Sequence, residues 1–292
     1  MHLSVFKILN LSKIDIEYKG FNTITYMTEF ILIDGSYFIY HRYYSLKNWW
    51  NNAKRVNESD TPFENERFID KYKSTFVSKV KEVQERYSTI ANPIILAGRD
   101  CNSRDIWRRK LFAEYKHGRK KDDVGVKDSF MIAYTEELFT KAGVQAILYD
   151  DNLEADDCIA ITVKHIIDKY PDAKITIITS DMDYLQLANE RVRIFNLNYK
   201  ELVESKQSFK NAEKDLFCKI VAGDKSDNIS SVFSRCGIKT AAKYYENKSS
   251  FHKKLQSDEK AQEIFALNET LIDFKKIPPH LAERFKTNCL KL

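Results

Sequence analysis

An α/β fold with a largely parallel central sheet is the architecture this sequence predicts. Three observations lead there. Four short runs are apolar throughout, which suits strands buried on both faces. Segments of helical periodicity lie between them, and strands alternating with helices imply parallel pairing. Each run also ends in an acid. Ligands of open α/β sheets bind beyond the carboxyl ends of the strands, so the third observation bears on function as well as fold.

The first strand is "FILID", ending at Asp34. "YFIYHRYY", with His41 and Arg42, follows as a packed helix. Phe68, Tyr72, Phe76, Val80, Val83 and Tyr87 then step by three or four, the stripe of an amphipathic helix. The second strand, "PIILAGRD", ends at Asp100, and the third, "QAILYDD", near Asp150. "EADDCIAITVKHIIDKY" places Ile159, Val163, Ile166 and Ile167 on one helix face. The fourth strand, "KITIITSD", ends at Asp181. Beyond about residue 205 strand signals stop, and the chain reads as helices broken by "GDKSDN" and "RCGIKT". The first 28 residues lack the basic start, apolar stretch and small-residue cleavage site of a secretion signal. A second methionine, Met27, sits just before the first strand.

With 292 residues, 43% of them hydrophobic, the chain can bury one substantial core with a smaller appended subdomain. Its 18 Phe and 16 Tyr argue against disorder. The net charge of +5 says less than its distribution. Nine bases and three acids fall between Arg99 and Lys121, whereas Asp150, Asp151, Glu154, Asp156 and Asp157 crowd into eight positions. Separate basic and acidic zones suit a polyanion on one and a metal on the other. The five cysteines, 101, 158, 218, 236 and 289, form no C-x-x-C pair. That argues against a disulfide framework or zinc ribbon and for a reducing compartment. No 18-residue apolar segment exists, so no membrane span is expected.

Carboxylates are hard ligands, and Mg²⁺ takes several with water completing its octahedron. Glu154 and Asp157 lie three apart and share a helix face. Asp156 points elsewhere at about 100° per residue, so the cluster serves either two ions or one ion and a structural contact. "SDMD" adds Asp181 and Asp183, and "GDKSDN" adds Asp224 and Asp227. No His or Cys accompanies these acids, which disfavours zinc. Any single one could be a helix cap. Seven acids at four strand ends and one loop would repel unless cations held them.

The segments "FILIDGSYFIYHR", "WRRKLFAEYKHGR", "LEADD", "ITSDMDYLQL", "AGDKSDN" and "CGIKTAAKYY" follow one another as in the structure-specific 5′-nucleases. This family includes flap endonucleases and the 5′→3′ exonuclease domains of bacterial polymerases. From Phe30 to the C-terminus the chain most resembles its bacteriophage ribonuclease H branch, which removes replication primers. The resemblance implies a PIN-like (5′-nuclease) core over residues 29–205, with an arch at about 104–127. A helical DNA-binding region containing a helix-hairpin-helix would span 206–292, and residues 1–28 would be an extension of unassigned role. By motif, Asp34, Asp100, Glu154 and Asp156 would hold one Mg²⁺, and Asp181, Asp183 and Asp227 a second, with Mn²⁺ as a substitute. Asp157 and Asp224 would stand in the outer shell. Lys116 and Arg119 would be catalytic near the scissile phosphate, with Arg108 also catalytic and Arg109 contacting DNA. Trp107 reads as core; Tyr115 is either core or a stacking surface for a base.

"RCGIKTAAKYY" resembles the hairpin that grips duplex phosphates, with Gly237, Lys239 and Thr240 as DNA contacts and K⁺ at the turn. Arg235 and Cys236 depart from the family pattern there. The implied function is divalent-metal-dependent hydrolysis of phosphodiesters at 5′ ends or flaps of DNA, and of RNA primers, in replication or repair. The implied substrates are flapped, nicked or 5′-ended DNA and RNA–DNA hybrid. The protein would be a cytoplasmic or nuclear monomer that meets replication proteins. Two other readings compete. A catalytically inactive nucleic-acid-binding relative is opposed by the presence of all seven acids. A haloacid-dehalogenase-type phosphatase needs an Asp two residues after the first, but Gly35 and Ser36 follow Asp34.

Overall fold

The computed structural model describes residues 28–55, 58–59, 61–119 and 124–290. The expected extension before Thr28 and residues 120–123 of the expected arch lie outside these. Five parallel strands form one sheet in the order β3-β2-β1-β4-β5: β1 (Glu29–Asp34), β2 (Ile94–Gly98), β3 (Ala146–Leu148), β4 (Lys174–Ile178) and β5 (Val192–Phe195). Strand residues alternate between two cores, as the pleat requires. Phe30 and Leu32 enter one with Leu96, Ile175 and Ile177; Ile31 and Ile33 enter the other with Ile95 and Ala97. Helices α1 (Gly35–Ala53) and α2 (Glu66–Tyr87) cover the second face through Phe38, Tyr43, Trp50, Phe68, Tyr72 and Phe76. The short α3 (Trp107–Leu111), α4 (Val124–Thr135) and α5 (Leu138–Lys141) follow, and α6 (Ala155–Lys169) covers the first face through Ile159, Val163 and Ile166.

The sequence reading gave four strands; β5 is the addition. It is a four-residue edge strand with Arg193 exposed, so it lacks the continuous apolar run that marks a strand buried on both faces. The chain leaves β1 for β2 and β3 on one side, then crosses to β4 and β5 on the other. The switch point lies between β1 and β4, and open sheets of this kind take ligands in the crevice outside the carboxyl ends of the strands there.

The remainder is helical: α7 (Ala212–Ala222), α8 (Ile238–Glu246), α9 (Lys248–Gln256), α10 (Glu259–Ile272) and α11 (Pro279–Phe285). A third core forms there around Cys218, Phe233, Cys236 and Phe251. The end of the chain does not stay with it. Phe274, Ile277, Leu281, Phe285 and Leu290 return to the core of the sheet. Among the described residues no helix is long and apolar enough to cross a membrane.

Candidate metal centre

Close backbone approach brings the first acids together. A Cβ on Gly35 would lie 2.3 Å from the Gly98 carbonyl oxygen, so only glycine lets the start of α1 meet the end of β2. Asp34 ends β1 and caps α1, accepting from the Tyr37 amide at 3.0 Å. Its other oxygen accepts from Thr179 Oγ1 at 2.9 Å, across the switch point. Desolvation, then the charge of Asp100, pushes the Asp34 carboxyl from 3.8 up to about 7. Asp100 accepts from the Ala155 amide at 2.9 Å and from the Ser36 hydroxyl. The first turn of α6 is thereby fixed to β2.

In that first turn, carboxylate oxygens of Glu154, Asp156 and Asp157 lie within 4.8 Å of one another. Asp157 is fully buried and held by Arg108 at 2.7 and 2.8 Å and by Trp107 Nε1 at 2.9 Å. It also accepts from the Glu154 amide at 3.2 Å. Glu154 accepts from Arg108 at 2.9 Å, from the Tyr115 hydroxyl at 3.1 Å and from Lys116 Nζ. Burial would raise its pKa, but the charges of Lys116 and Arg108 outweigh that and lower it. The Asp156 carboxyl is pushed well up by desolvation and by Asp157 and Glu154. It lacks the fork that neutralises Asp157, which leaves it the strongest need for an added cation.

A second group lies beyond β4 and α7. Asp181 caps the turn Met182–Leu187, accepting from the Asp183 amide at 2.9 Å. Lys219 Nζ bridges Asp183 at 2.7 Å and Asp224 at 2.5 Å. Desolvation and Asp181 push Asp183 up to about 6. For Asp224 the burial penalty is outweighed by hydrogen bonds from Lys219 and Ser226, which bring it down to about 2. Asp227 is buried, pairs with Arg119, and has Lys116 Nζ at 3.9 Å. The Asp227 carbonyl accepts from the Lys116 amide at 3.0 Å. The basic segment and the "GDKSDN" turn are therefore joined through both backbone and charge.

The other residues singled out by sequence fall into three sets. Arg108 was expected to be catalytic. It is instead 2% exposed, stacked 4.6 Å from the Trp107 ring, with donors directed at Asp157, Glu154 and the Leu271 carbonyl. Two buried carboxylates demand a buried cation, and that demand draws it inward. Tyr115 resolves as core, 3% exposed and bonded to Glu154. Arg109 is half-buried, with Nη2 3.5 Å from the Lys116 carbonyl oxygen.

Gly237, Lys239 and Thr240 are exposed at the start of α8, and none of them bonds to the acids. Gly237 and Arg235 line a cleft of about 610 Å³ with Lys225, Asn228, Ser230 and Ser231. Gly237 has φ −93° and open space where a Cβ would point, so the fold itself does not require glycine there. Gly223 is the demanding position: φ is +70° and a Cβ would lie 2.5 Å from the Ile229 and Ser230 carbonyl oxygens. Sequence reasoning passed over Thr179, Ser36, Lys219 and Gln186. Their only signal is position, two to five residues from an acid already chosen.

Nearly every candidate ligand atom is a carboxylate oxygen, and no His or Cys side chain is among the partners described. Such a hard, anionic donor set fits Mg²⁺ or Mn²⁺.

A family profile described as the 5′-3′ exonuclease N-terminal, resolvase-like domain matches residues 29–214. A 5′-3′ exonuclease of Buchnera aphidicola subsp. Acyrthosiphon pisum (strain APS) is 30% identical over 217 residues, covering 72% of this chain and 68% of the relative. Ribonuclease H of Enterobacteria phage T4 is 32% identical over 202 residues, covering 60% of this chain and 63% of its own length. Among solved structures, the T5 D15 protein co-crystallized with metal ions superposes with a TM-score of 0.63 at 18% identity. That superposition covers 90% of this chain and 98% of the other, and shows the shared fold. The D15 flap endonuclease is also known in a complex with DNA and metal ions, with a TM-score of 0.62. Sheet, crevice and sequence agree: this chain belongs to the 5′-3′ exonuclease family of nucleases.

Proposed function

We propose that this chain is a 5′-nuclease that hydrolyses phosphodiester bonds at the 5′ ends or flaps of DNA, using two Mg²⁺ ions. The observation that carries the reading is the pair of carboxylate groups at one sheet edge, each already touched by the protein's own cations. In this assignment Asp34, Asp100, Glu154 and Asp156 hold one ion, and Asp181, Asp183 and Asp227 the other. Divalent ions bound there supply an activated water and stabilisation of the leaving oxygen. Asp157 and Asp224 act from the outer shell, fixed by Arg108 and by Lys219.

The chain's own residues do the rest. Lys116 and Arg119 sit between the two groups and can turn their charge toward a phosphate that enters the crevice. Arg108 acts as a positioning residue for Glu154 and Asp157. The cleft lined by Arg235 and Gly237, with Lys239 and Thr240 following in the first turn of α8, takes the duplex backbone, as a helix-hairpin-helix with K⁺ would. Arg109, held near the Lys116 carbonyl, adds a contact to the DNA backbone. RNA–DNA hybrid is a second substrate, favoured by the likeness to phage T4 ribonuclease H. Five unpaired cysteines, four of them buried, favour an intracellular site of action, where replication proteins would be partners and the protein a monomer.

The test is cleavage of end-labelled flap, nicked and RNA–DNA duplexes with Mg²⁺. Mg²⁺-dependent release of 5′ products supports the reading. Tight binding without cleavage would identify an inactive relative.

A further inference from the structure

The chain after residue 214 lies outside the matched domain, yet one stretch of it reaches the segments that carry Glu154, Asp183 and Asp227. Asn268, buried on α10, donates to the Ile220 carbonyl at 2.9 Å and to the Ser230 carbonyl at 2.8 Å. That holds the end of α7 to the turn bearing Asp224 and Asp227. The Leu271 carbonyl accepts from Arg108 Nε at 2.7 Å, behind Glu154 and Asp157. The Gln186 amide makes three bonds at once. Its Nε2 donates to the Asp183 carbonyl at 2.9 Å and the Ile272 carbonyl at 3.1 Å, and its Oε1 accepts from the Phe274 amide at 2.9 Å.

Arg284 on α11 completes the series. It forks onto Asp150, with Nε at 2.9 Å, and reaches Asn152 Oδ1 at 2.9 Å. Asn152 in turn donates to the Asp105 carbonyl at 2.9 Å and accepts from the Trp107 amide at 3.1 Å. Asp150 therefore belongs to this clasp and not to the ligand set.

We propose that Asn268–Arg284 is a positioning strap that fixes the separation of the two carboxylate groups, with Gln186 and Arg284 as its positioning residues. The acids sit at the ends of strands, at the start of a helix and on short turns, and they repel one another, so their spacing needs an external tie. The strap is itself anchored, because Phe274, Ile277 and Leu281 lie in the core of the sheet. Small displacements matter in such a site: an error of about 1 Å in placement can cost on the order of 100-fold in rate. The proposal rests on the two-ion reading above.

The test uses the full chain with Gln186→Met, which keeps volume and removes the three bonds, and Arg284→Met beside the conservative Arg284→Lys. Two quantities are read: the Mg²⁺ concentration that half-saturates single-turnover cleavage, and Mn²⁺ affinity by calorimetry without DNA. Gln186→Met is expected to weaken both by about 10-fold or more, the scale of outer-shell partners of metal ligands. Arg284→Met should do the same in part, and Arg284→Lys should recover most of it. A fall in melting temperature with wild-type Mg²⁺ dependence and Mn²⁺ affinity overturns the strap and leaves a plain structural brace. Should Gln186→Met not fold, the Arg284 pair decides by the same readouts. A wild-type chain that binds no divalent ion overturns the two-ion reading itself, which no strap variant alone would do.

Discussion

Individual side chains at this site are distinguished by what neutralises them. Asp157 has Arg108 and Trp107, Glu154 has Lys116, and Asp183 has Lys219, whereas the Asp156 carboxyl is raised by burial and then by its neighbours' charge. Asp156→Asn or Asp181→Asn is therefore expected to abolish cleavage while the fold survives. DNA binding should hold or strengthen, because a negative charge facing phosphate is gone. Near wild-type cleavage by both variants would sink the ligand assignment. Lys116→Ala should slow single-turnover cleavage at saturating substrate more than it weakens binding. If only the dissociation constant rises, Lys116 is an ordinary phosphate contact. Arg108→Met should instead cost stability, about 3–5 kcal/mol, because it leaves buried carboxylates uncompensated. Urea unfolding measures that loss, and an unchanged midpoint would contradict the clamp.

Protonation adds a whole-site check on the same residues. Asp34 is raised from 3.8 to about 7 and Asp183 from 3.8 to about 6. Between about 4 and 7 the folded state then holds protons that the unfolded chain has released, so these groups lower stability as pH rises through that window. Bound Mg²⁺ offsets this only when the carboxylates are ionised. The rise in melting temperature on adding Mg²⁺ should be larger at pH 8 than at pH 5. Equal shifts at both pH values would count against these acids as ligands.

At the scale of elements, the glycine that ends α7 and the glycine that starts α8 separate fold from binding. Gly223 carries a positive φ and no room for a Cβ; Gly237 carries neither constraint. Gly223→Ala should therefore destabilise the chain, whereas Gly237→Val should fold normally and bind duplex weakly. Lys239→Ala should weaken binding mildly and lower the salt slope by about one unit. Neither Gly237→Val nor Lys239→Ala should alter the chemical rate at saturating substrate, since neither residue is a candidate ligand or touches one. Binding measured across salt, paired with single-turnover cleavage, checks this. Wild-type duplex binding by both variants would reduce the segment to a helix start.

For the whole molecule, the sheet begins at Glu29, and the preceding Thr28 is already tied in, its carbonyl accepting from the Lys174 amide at 3.0 Å. A chain starting at Met27 keeps that bond and should fold and cut as the full chain does. Loss of solubility or activity on truncation would show that residues before Met27 support the core.

Several features were legible in the sequence because they are local. Apolar runs such as "FILID" and "KITII" must be strands buried on both faces, and an acid placed just after each must reach the carboxyl edge of a parallel sheet. The stripe Phe68 to Val83 and the crowding of Glu154, Asp156 and Asp157 needed no partner to be seen. Strand β5 was not legible, because an edge strand with an exposed Arg193 presents no continuous apolar signal. Nor was the inward turn of Arg108, which depends on Asp157 and Leu271 arriving from distant parts of the chain. The same holds for Lys219 between Asp183 and Asp224, and for Gln186 and Arg284 beneath the site. Periodicity and spacing record what a residue does to its near neighbours. Which cation neutralises which acid is decided only when folding removes water from both.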